Sequence, residues 1–352
     1  MSKVPITLIT GFLGSGKTTL LRELLADPEL GETAVLVNEL GEIALDHHLL
    51  SRIDERTVVL ASGCVCCTIR ADLADELRDL EARRSRGEIP GYERVAIETT
   101  GLADPAPILS TLLTDPMVEA QYRIDGIVTT VDAVNGSAQL RAQPEAAKQA
   151  AVADRLLITK TDLVEPAELA ELTRRLARVN PGARQIEVRH GRLAAREVIG
   201  AAARDDAEIL RDALAFGAAV ASHDDGAHVH EGSAHDHRIR AFALRFERPL
   251  DWTMFGIWLS MLLAARGEDV LRVKGLLNAA GSDGPVVING VQHVVHPPVH
   301  LPAWPDDDRS SRLVLIVREI AAEAVERSLL AFQDLASLSA GTAAGSIGSS
   351  NV

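Results

Sequence analysis

Short apolar runs alternate with longer amphipathic stretches through the first 190 or so residues. The runs predict strands at 5–10, 33–38, 57–61, 93–98, 125–131, 155–159 and 184–189. Several are apolar nearly throughout, as expected for strands covered on both faces. Between them, helical patterns fall at 17–26, 68–85, 105–113, 145–152 and 165–178. This alternation predicts an α/β domain: a mostly parallel sheet with right-handed crossovers, covered by helices and binding ligands at the carboxyl ends of its strands. From 217 to 238 the pattern is lost, and His223, His228, His230, His235 and His237 lie among Asp, Gly, Ser and Ala. That composition reads as a flexible, solvated linker. Beyond it, strands are expected at 239–248, 270–277, 285–295 and 313–318, with helices at 252–266 and 320–334. Strands in runs with two helices suggest a smaller α+β domain. The expected organisation is therefore a domain at 1–216, a linker at 217–238, a second domain at 239–335 and a disordered Ser/Gly/Ala-rich tail at 336–352.

Bulk properties narrow the partners. The length of 352 residues suits two domains. Fifty acidic against 36 basic residues give a net charge of −14, which disfavours nucleic acid, because phosphate neutralisation needs a basic face. No apolar run approaches the roughly 20 residues that span a bilayer. Lys3 is followed almost at once by the first strand, with no leader pattern, so no membrane partner and a cytoplasmic location are expected. The three cysteines all fall between positions 64 and 67, a poor disulfide framework but a good thiolate cluster.

The chemistry begins at Gly11-Phe-Leu-Gly14-Ser15-Gly16-Lys17-Thr18, directly after the first apolar run. This is the P-loop spacing. Its glycines let backbone N–H groups wrap a phosphate at a helix N-terminus, Lys17 supplies charge to the β- and γ-phosphates, and the Thr18 hydroxyl can ligate Mg²⁺. Glu98 ends an apolar strand and opens Glu98-Thr99-Thr100-Gly101. An acid there can reach the Mg²⁺ shell or orient the attacking water, and the glycine lets a backbone N–H approach a γ-phosphate. Asp132 also ends a strand, where an Asp more often caps the helix that follows. Thr159-Lys160-Thr161-Asp162 follows another strand. Asp162 can accept both donors on the guanine edge, with the Lys160 stem along the base. The match to Asn-Lys-x-Asp is incomplete, since Thr159 replaces the asparagine.

Cys64-Val65-Cys66-Cys67 supplies three thiols just before a helix N-terminus, suited to a soft or borderline cation such as Zn²⁺. A carboxylate or histidine must complete such a site, and candidates lie in Asn38-Glu39-Leu40-Gly41-Glu42, with Asp46, His47 and His48 just downstream. A redox pair would read Cys-x-x-Cys instead. The linker histidines suit an accessory metal reservoir. His190, His293, His296 and His300 have no spacing that singles them out.

Together these residues resemble the CobW-type family of metal-chaperone GTPases. The likeness runs through residues 11–19, 38–42, 64–67, 98–101 and 159–162, and continues in 271–275, 290–293 and 304–305. It implies a GTPase domain joined to a CobW-type C-terminal domain, with GTP, Mg²⁺ and the P-loop residues 11, 14–18 and Thr19 at the phosphates. It implies Zn²⁺, Co²⁺ or another divalent metal at Cys66, Cys67 and Cys64, with Glu39 or Glu42 nearby. It further implies slow turnover, delivery of metal to a client metalloprotein and a nucleotide-dependent homodimer. Two other functions use a P-loop or thiolates: a small-molecule kinase, which would transfer the γ-phosphoryl group to an acceptor, and a metal store or sensor with no client.

Overall fold

The computed structural model describes residues 3–27, 32–38, 58–62, 69–199, 239–304 and 306–345. They form two compact units, residues 3–199 and residues 239–345. The predicted linker, 217–238, lies outside the described residues. No helix among them is long and apolar enough to cross a membrane.

The first unit is a seven-stranded parallel sheet of β1 (Val4–Gly11), β2 (Thr33–Asn38), β3 (Val58–Ser62), β4 (Arg94–Glu98), β5 (Tyr122–Asp132), β6 (Arg155–Thr159) and β7 (Arg184–Glu187), in the order β3-β2-β4-β1-β5-β6-β7. β4 slots between β2 and β1, so Ile9 pairs with Glu98, while Asp132 pairs with Thr159. Four strand ends thus line one edge of the sheet. Period-2 alternation sends Leu157 of β6 into one apolar cluster and Leu156 and Ile158 into another. The first cluster receives Leu20, Leu21, Leu24 and Leu25 of α1 (Lys17–Leu25), spaced to share one helix face. The second receives Leu172 and Leu176 of a later helix, Pro166–Val179.

Several elements differ from the sequence expectation for local reasons. The helix expected at 105–113 forms as Pro105–Thr114, and a second, unexpected helix, Pro116–Gln121, follows it. Asp115 accepts hydrogen bonds from the Met117 and Val118 N–H groups and Pro116 takes the first helical position, which restarts the helix. β5 begins three residues early, at Tyr122. The charged Arg123 masked its start, and Asp125 sits beside a register shift against β1 and accepts the Thr7 hydroxyl at 3.2 Å. A further helix, Gly136–Ala142, is too short to reveal a period.

The second unit is an antiparallel sheet in the order β11-β10-β9-β13-β8, with β12 beside β10. Its strands are β8 (Ile239–Phe246), β9 (Val270–Leu277), β10 (Val286–Val291), β11 (Val294–Val295), β12 (Val299–His300) and β13 (Ser311–Arg318). Helices Trp252–Arg266 and Ala322–Gly345 complete it, and Trp258 Nε1 donates to Ser328 Oγ at 2.9 Å between them. The single strand expected at 285–295 is broken because Gln292 adopts φ 50° and turns the chain. The last helix runs on to Gly345, so residues 336–345, expected to be disordered, are helical. Ala336, Ala340, Ala343 and Ala344 are strong helix formers that a reading of the stretch as Ser/Gly-rich underweights. Residues 346–352 lie outside the described residues.

Candidate functional site

At the carboxyl end of β1, Gly11, Gly14 and Gly16 adopt φ of 142°, 70° and 92° and bend residues 11–16 into a loop over α1. Gly16 caps that helix without any side-chain hydrogen bond, leaving the first N–H groups of α1 for an anion. Lys17 folds back on the loop, its Nζ donating to the carbonyls of Gly11 at 2.9 Å and Phe12 at 3.3 Å. The loop is bolted to the sheet by buried hydroxyls. Ser15 Oγ and Thr130 Oγ1 lie 2.6 Å apart, and Thr159 Oγ1 donates to the Ser15 carbonyl at 2.7 Å. A cavity of about 590 Å³ opens here, lined by Gly14, Lys17, Thr18, Glu98, Gly101 and Lys160 among others.

Two sequence-predicted residues meet across the cavity: the Thr18 hydroxyl donates to Glu98 Oε1 at 2.8 Å. Glu98 is buried, and Thr99 fastens the next turn to β1 through its N–H to the Ile9 carbonyl and its hydroxyl to Thr10 Oγ1, both at 2.9 Å. Gly101 then passes so close to the P-loop that a Cβ there would lie 2.6–2.9 Å from Leu13 Cδ2, N and Cα. Glycine is required at that position by proximity alone. These residues fit a nucleoside triphosphate with Mg²⁺: an uncapped helix start, a lysine, and a hydroxyl–carboxylate pair of hard oxygens.

The base end is built by β6 and the turn after β7. Lys160, at φ 58°, donates from Nζ to the Gly14 carbonyl and to Asp132 Oδ2, each at 2.8 Å. Asp132 also accepts from the Val134 N–H at 2.8 Å and from Asn135 Nδ2 at 3.0 Å, so it both folds the turn after β5 and fixes Lys160. Burial opposes its ionisation, but hydrogen bonds from Lys160, Asn135 and Val134 outweigh it and hold the carboxyl below the usual carboxylate range. Because the folded-state pKa is lowered, this contribution is present at neutral pH and lost on acidification through the folded pKa. Asp132→Asn is therefore expected to cost about 1–3 kcal/mol at pH 7, with thermal midpoints of variant and wild type converging below about pH 4. Midpoints that stay apart in acid would contradict it.

Thr159, the departure from the guanine-reading pattern, points its hydroxyl at the carbonyls of Ser15 and Val131, and so binds β6 to the P-loop. Asp162, the residue expected to read the base, accepts the His190 N–H at 3.3 Å through Oδ1, and its Oδ2 lies 3.2 Å from His190 Nδ1. His190 thus belongs to the candidate base site, which sequence spacing missed. The available signal was the His190-Gly191 pair after a strand: both take positive φ, 54° and 76°, in a tight turn. The same turn lies on α1, since a Cβ on Gly191 would come within 3.1 Å of Thr19 Cγ2 and 3.2 Å of Glu23 Cγ.

Glu39, Glu42, Cys64, Cys66 and Cys67 lie outside the described residues. The strands that precede them, β2 and β3, pair with each other and end at Asn38 and Ser62, on the same sheet edge as Glu98. Among the described residues no cluster of three His, Cys, Asp or Glu is arranged to hold a metal.

A parallel sheet with a phosphate loop after its central strand, a glutamate across from that loop and a lysine–aspartate pair at the far end defines a P-loop nucleotide-binding protein. Residues 5–187 match the family described as CobW/HypB/UreG, nucleotide-binding domain, and residues 239–333 match the cobalamin synthesis protein cobW C-terminal domain. The chain belongs to this CobW/HypB/UreG family. It is 32% identical over 325 residues to the zinc chaperone YjiA of Escherichia coli, covering 92% of this chain and 97% of that one. It is 28% identical over 364 residues to the zinc-regulated GTPase metalloprotein activator 1 of Schizosaccharomyces pombe, covering 91% and 84%. The crystal structure of the Zn(II)-bound YjiA GTPase superposes with a TM-score of 0.72 at 26% identity, over 94% of this chain and 99% of that one. A Zn(II)-bound YjiA variant with one glutamate and two cysteines replaced by alanine superposes at 0.67.

Proposed function

We propose that this protein is a GTP-hydrolysing zinc metallochaperone that delivers its ion to a client metalloprotein, with nucleotide state and metal affinity coupled. The observation that carries this reading is the shared sheet edge. The P-loop, Glu98 and the starts of both candidate metal segments, after Asn38 and Ser62, follow strands that end there. The names of the bacterial and yeast relatives support zinc and GTP as the ligands. Lys17 and the N–H groups at the start of α1 bind the phosphates, and Lys17 stabilises charge on the transferred phosphoryl group. Thr18 and Glu98 would hold Mg²⁺, which would neutralise phosphate charge. Glu98 is also the carboxylate placed to orient the attacking water. Asp162 accepts the two guanine donors while Lys160, held by Asp132, lies along the base. Zn²⁺ is the cargo, taken by Cys64, Cys66 and Cys67 with Glu39 or Glu42. A linked equilibrium then requires that GTP change zinc affinity and that zinc change GTP affinity by the same factor.

The test is inorganic phosphate release. GTP turnover on the order of 10⁻³–10⁻² per second is expected, as for intrinsic GTPases without an activator. Transfer of phosphate to an added small acceptor, or no response to Zn²⁺, would sink the reading. Asp162→Ala is expected to reduce the preference for GTP over ATP about a hundredfold, the worth of two hydrogen bonds to a charged group. Competition binding of the two nucleotides measures it.

A further inference from the structure

We infer that Gln149, which lies in sequence outside the phosphate loop and the base site, is the positioning residue that sets the distance between Gly101 and the P-loop. This inference rests on the GTPase reading above. Gln149 lies in the helix Pro144–Val152 and is 1% exposed. Its Nε2 donates to the carbonyls of Gly101 at 3.2 Å and Ala103 at 3.0 Å. Carbonyls only accept, so the amide must present its NH₂ to both, which fixes its orientation. Its Oε1, pointing the other way, is buried with no hydrogen-bond partner among the described residues. An amide kept at the cost of an unsatisfied acceptor is there for its donors, since a leucine would fill the space without that penalty.

The neighbouring contacts define what those donors hold. Thr99 is fastened to β1 at one end of the segment. At the other, Lys148 Nζ, one residue before Gln149, reaches Asp104 Oδ2 at 3.2 Å, and Asp104 caps the helix Pro105–Thr114. Between these anchors Gln149 grips the carbonyls on either side of Leu102. Gly101 is thereby kept against Leu13, where even a methyl group would not fit. The glycine N–H can answer to a γ-phosphate only if its resting distance from the loop is set, and the Gln149 amide is the group that sets it. The helix is itself anchored to the sheet by the Thr129 hydroxyl, which donates to the Gln149 carbonyl at 2.9 Å.

The full chain is compared with Gln149→Leu, which keeps the volume but removes both donors, and with Gln149→Asn, which keeps the amide but withdraws it by one methylene. GTP turnover, fluorescent GDP affinity, thermal midpoint and amide hydrogen exchange of residues 99–104 are read together. The expected result is a kcat at least tenfold lower in both variants, faster exchange in 99–104, and GDP affinity and KM within about twofold of wild type. Wild-type turnover in both variants overturns the proposal. So does a parallel fall of kcat, GDP affinity and midpoint, which is what a merely structural amide would give. If Gln149→Leu does not fold, Gln149→Asn alone decides, by the same split. A wild type that binds no guanine nucleotide overturns the functional reading and this inference with it, and that failure is recognised because it appears before any substitution.

Discussion

Gly11→Ala is expected to abolish nucleotide binding, while Gly14→Ala in the same loop weakens it far less. Both glycines have positive φ, but their surroundings differ. A Cβ on Gly11 would overlap the Thr130 hydroxyl and the Thr130 carbonyl oxygen and come within 2.8 Å of Ser15 Oγ. Two of these atoms belong to the hydroxyl pair that bolts the loop to β5, and the third is backbone. None is the free end of a flexible chain, so either β1 separates from β5 or the loop leaves its cradle. At Gly14 a Cβ meets nothing within 4 Å, leaving only the left-handed backbone penalty, about 1–2 kcal/mol. Equilibrium titration with a fluorescent guanine nucleotide should give a loss of at least about a thousandfold for Gly11→Ala, more than 4 kcal/mol, against roughly tenfold for Gly14→Ala. Equal losses would mean that the loop tolerates a side chain where the sheet lies closest.

Replacing Cys66 and Cys67 together by alanine is expected to remove tight, nucleotide-coupled zinc binding. Thiolates are the strongest zinc ligands in the proposed set, and deleting two leaves an incomplete, oxygen-rich remainder. A loss of at least about a thousandfold, near 4 kcal/mol, follows if each thiolate contributes even 2 kcal/mol. The YjiA variant with two cysteines and a glutamate replaced by alanine is itself Zn(II)-bound. Affinity and coupling, not the presence of zinc, are therefore the quantities to measure. In wild type, zinc affinity under a non-hydrolysable GTP analogue should differ from that under GDP by at least about fivefold, the lower end of ordinary coupling energies. In the double variant that ratio should fall to one. Unchanged affinity against a competing chelator would refute the assignment.

What the chain revealed in advance was what lies close in sequence. The Gly11-to-Thr18 spacing located the phosphate loop, and the apolar runs located every strand of the parallel sheet, because both signals are local. Glu98 could be read as a candidate for the Mg²⁺ shell because it ends a strand, and its carboxylate accepts the Thr18 hydroxyl at 2.8 Å. Gln149, His190 and Lys160 acquire their roles from partners 48, 28 and 28 positions away. No periodicity announces a glutamine whose two hydrogen bonds reach Gly101 and Ala103, or a histidine whose partner lies in the turn after β6. Thr159 illustrates the converse: as a letter it weakened the guanine pattern, yet its hydroxyl does structural work on the Ser15 carbonyl. The cysteines and the glutamates after β2 were legible only as donor types, and their arrangement is a matter for metal titration.

The turn His190-Gly191 rests against Thr19 and Glu23 on α1, the helix whose start receives the phosphates. That helix works as a calliper. One jaw is the loop at residues 11–16, the other is the turn beside Asp162, and both lie against the same rod. A substitution at Thr19 or Glu23 that shifts the rod is therefore expected to disturb both jaws at once.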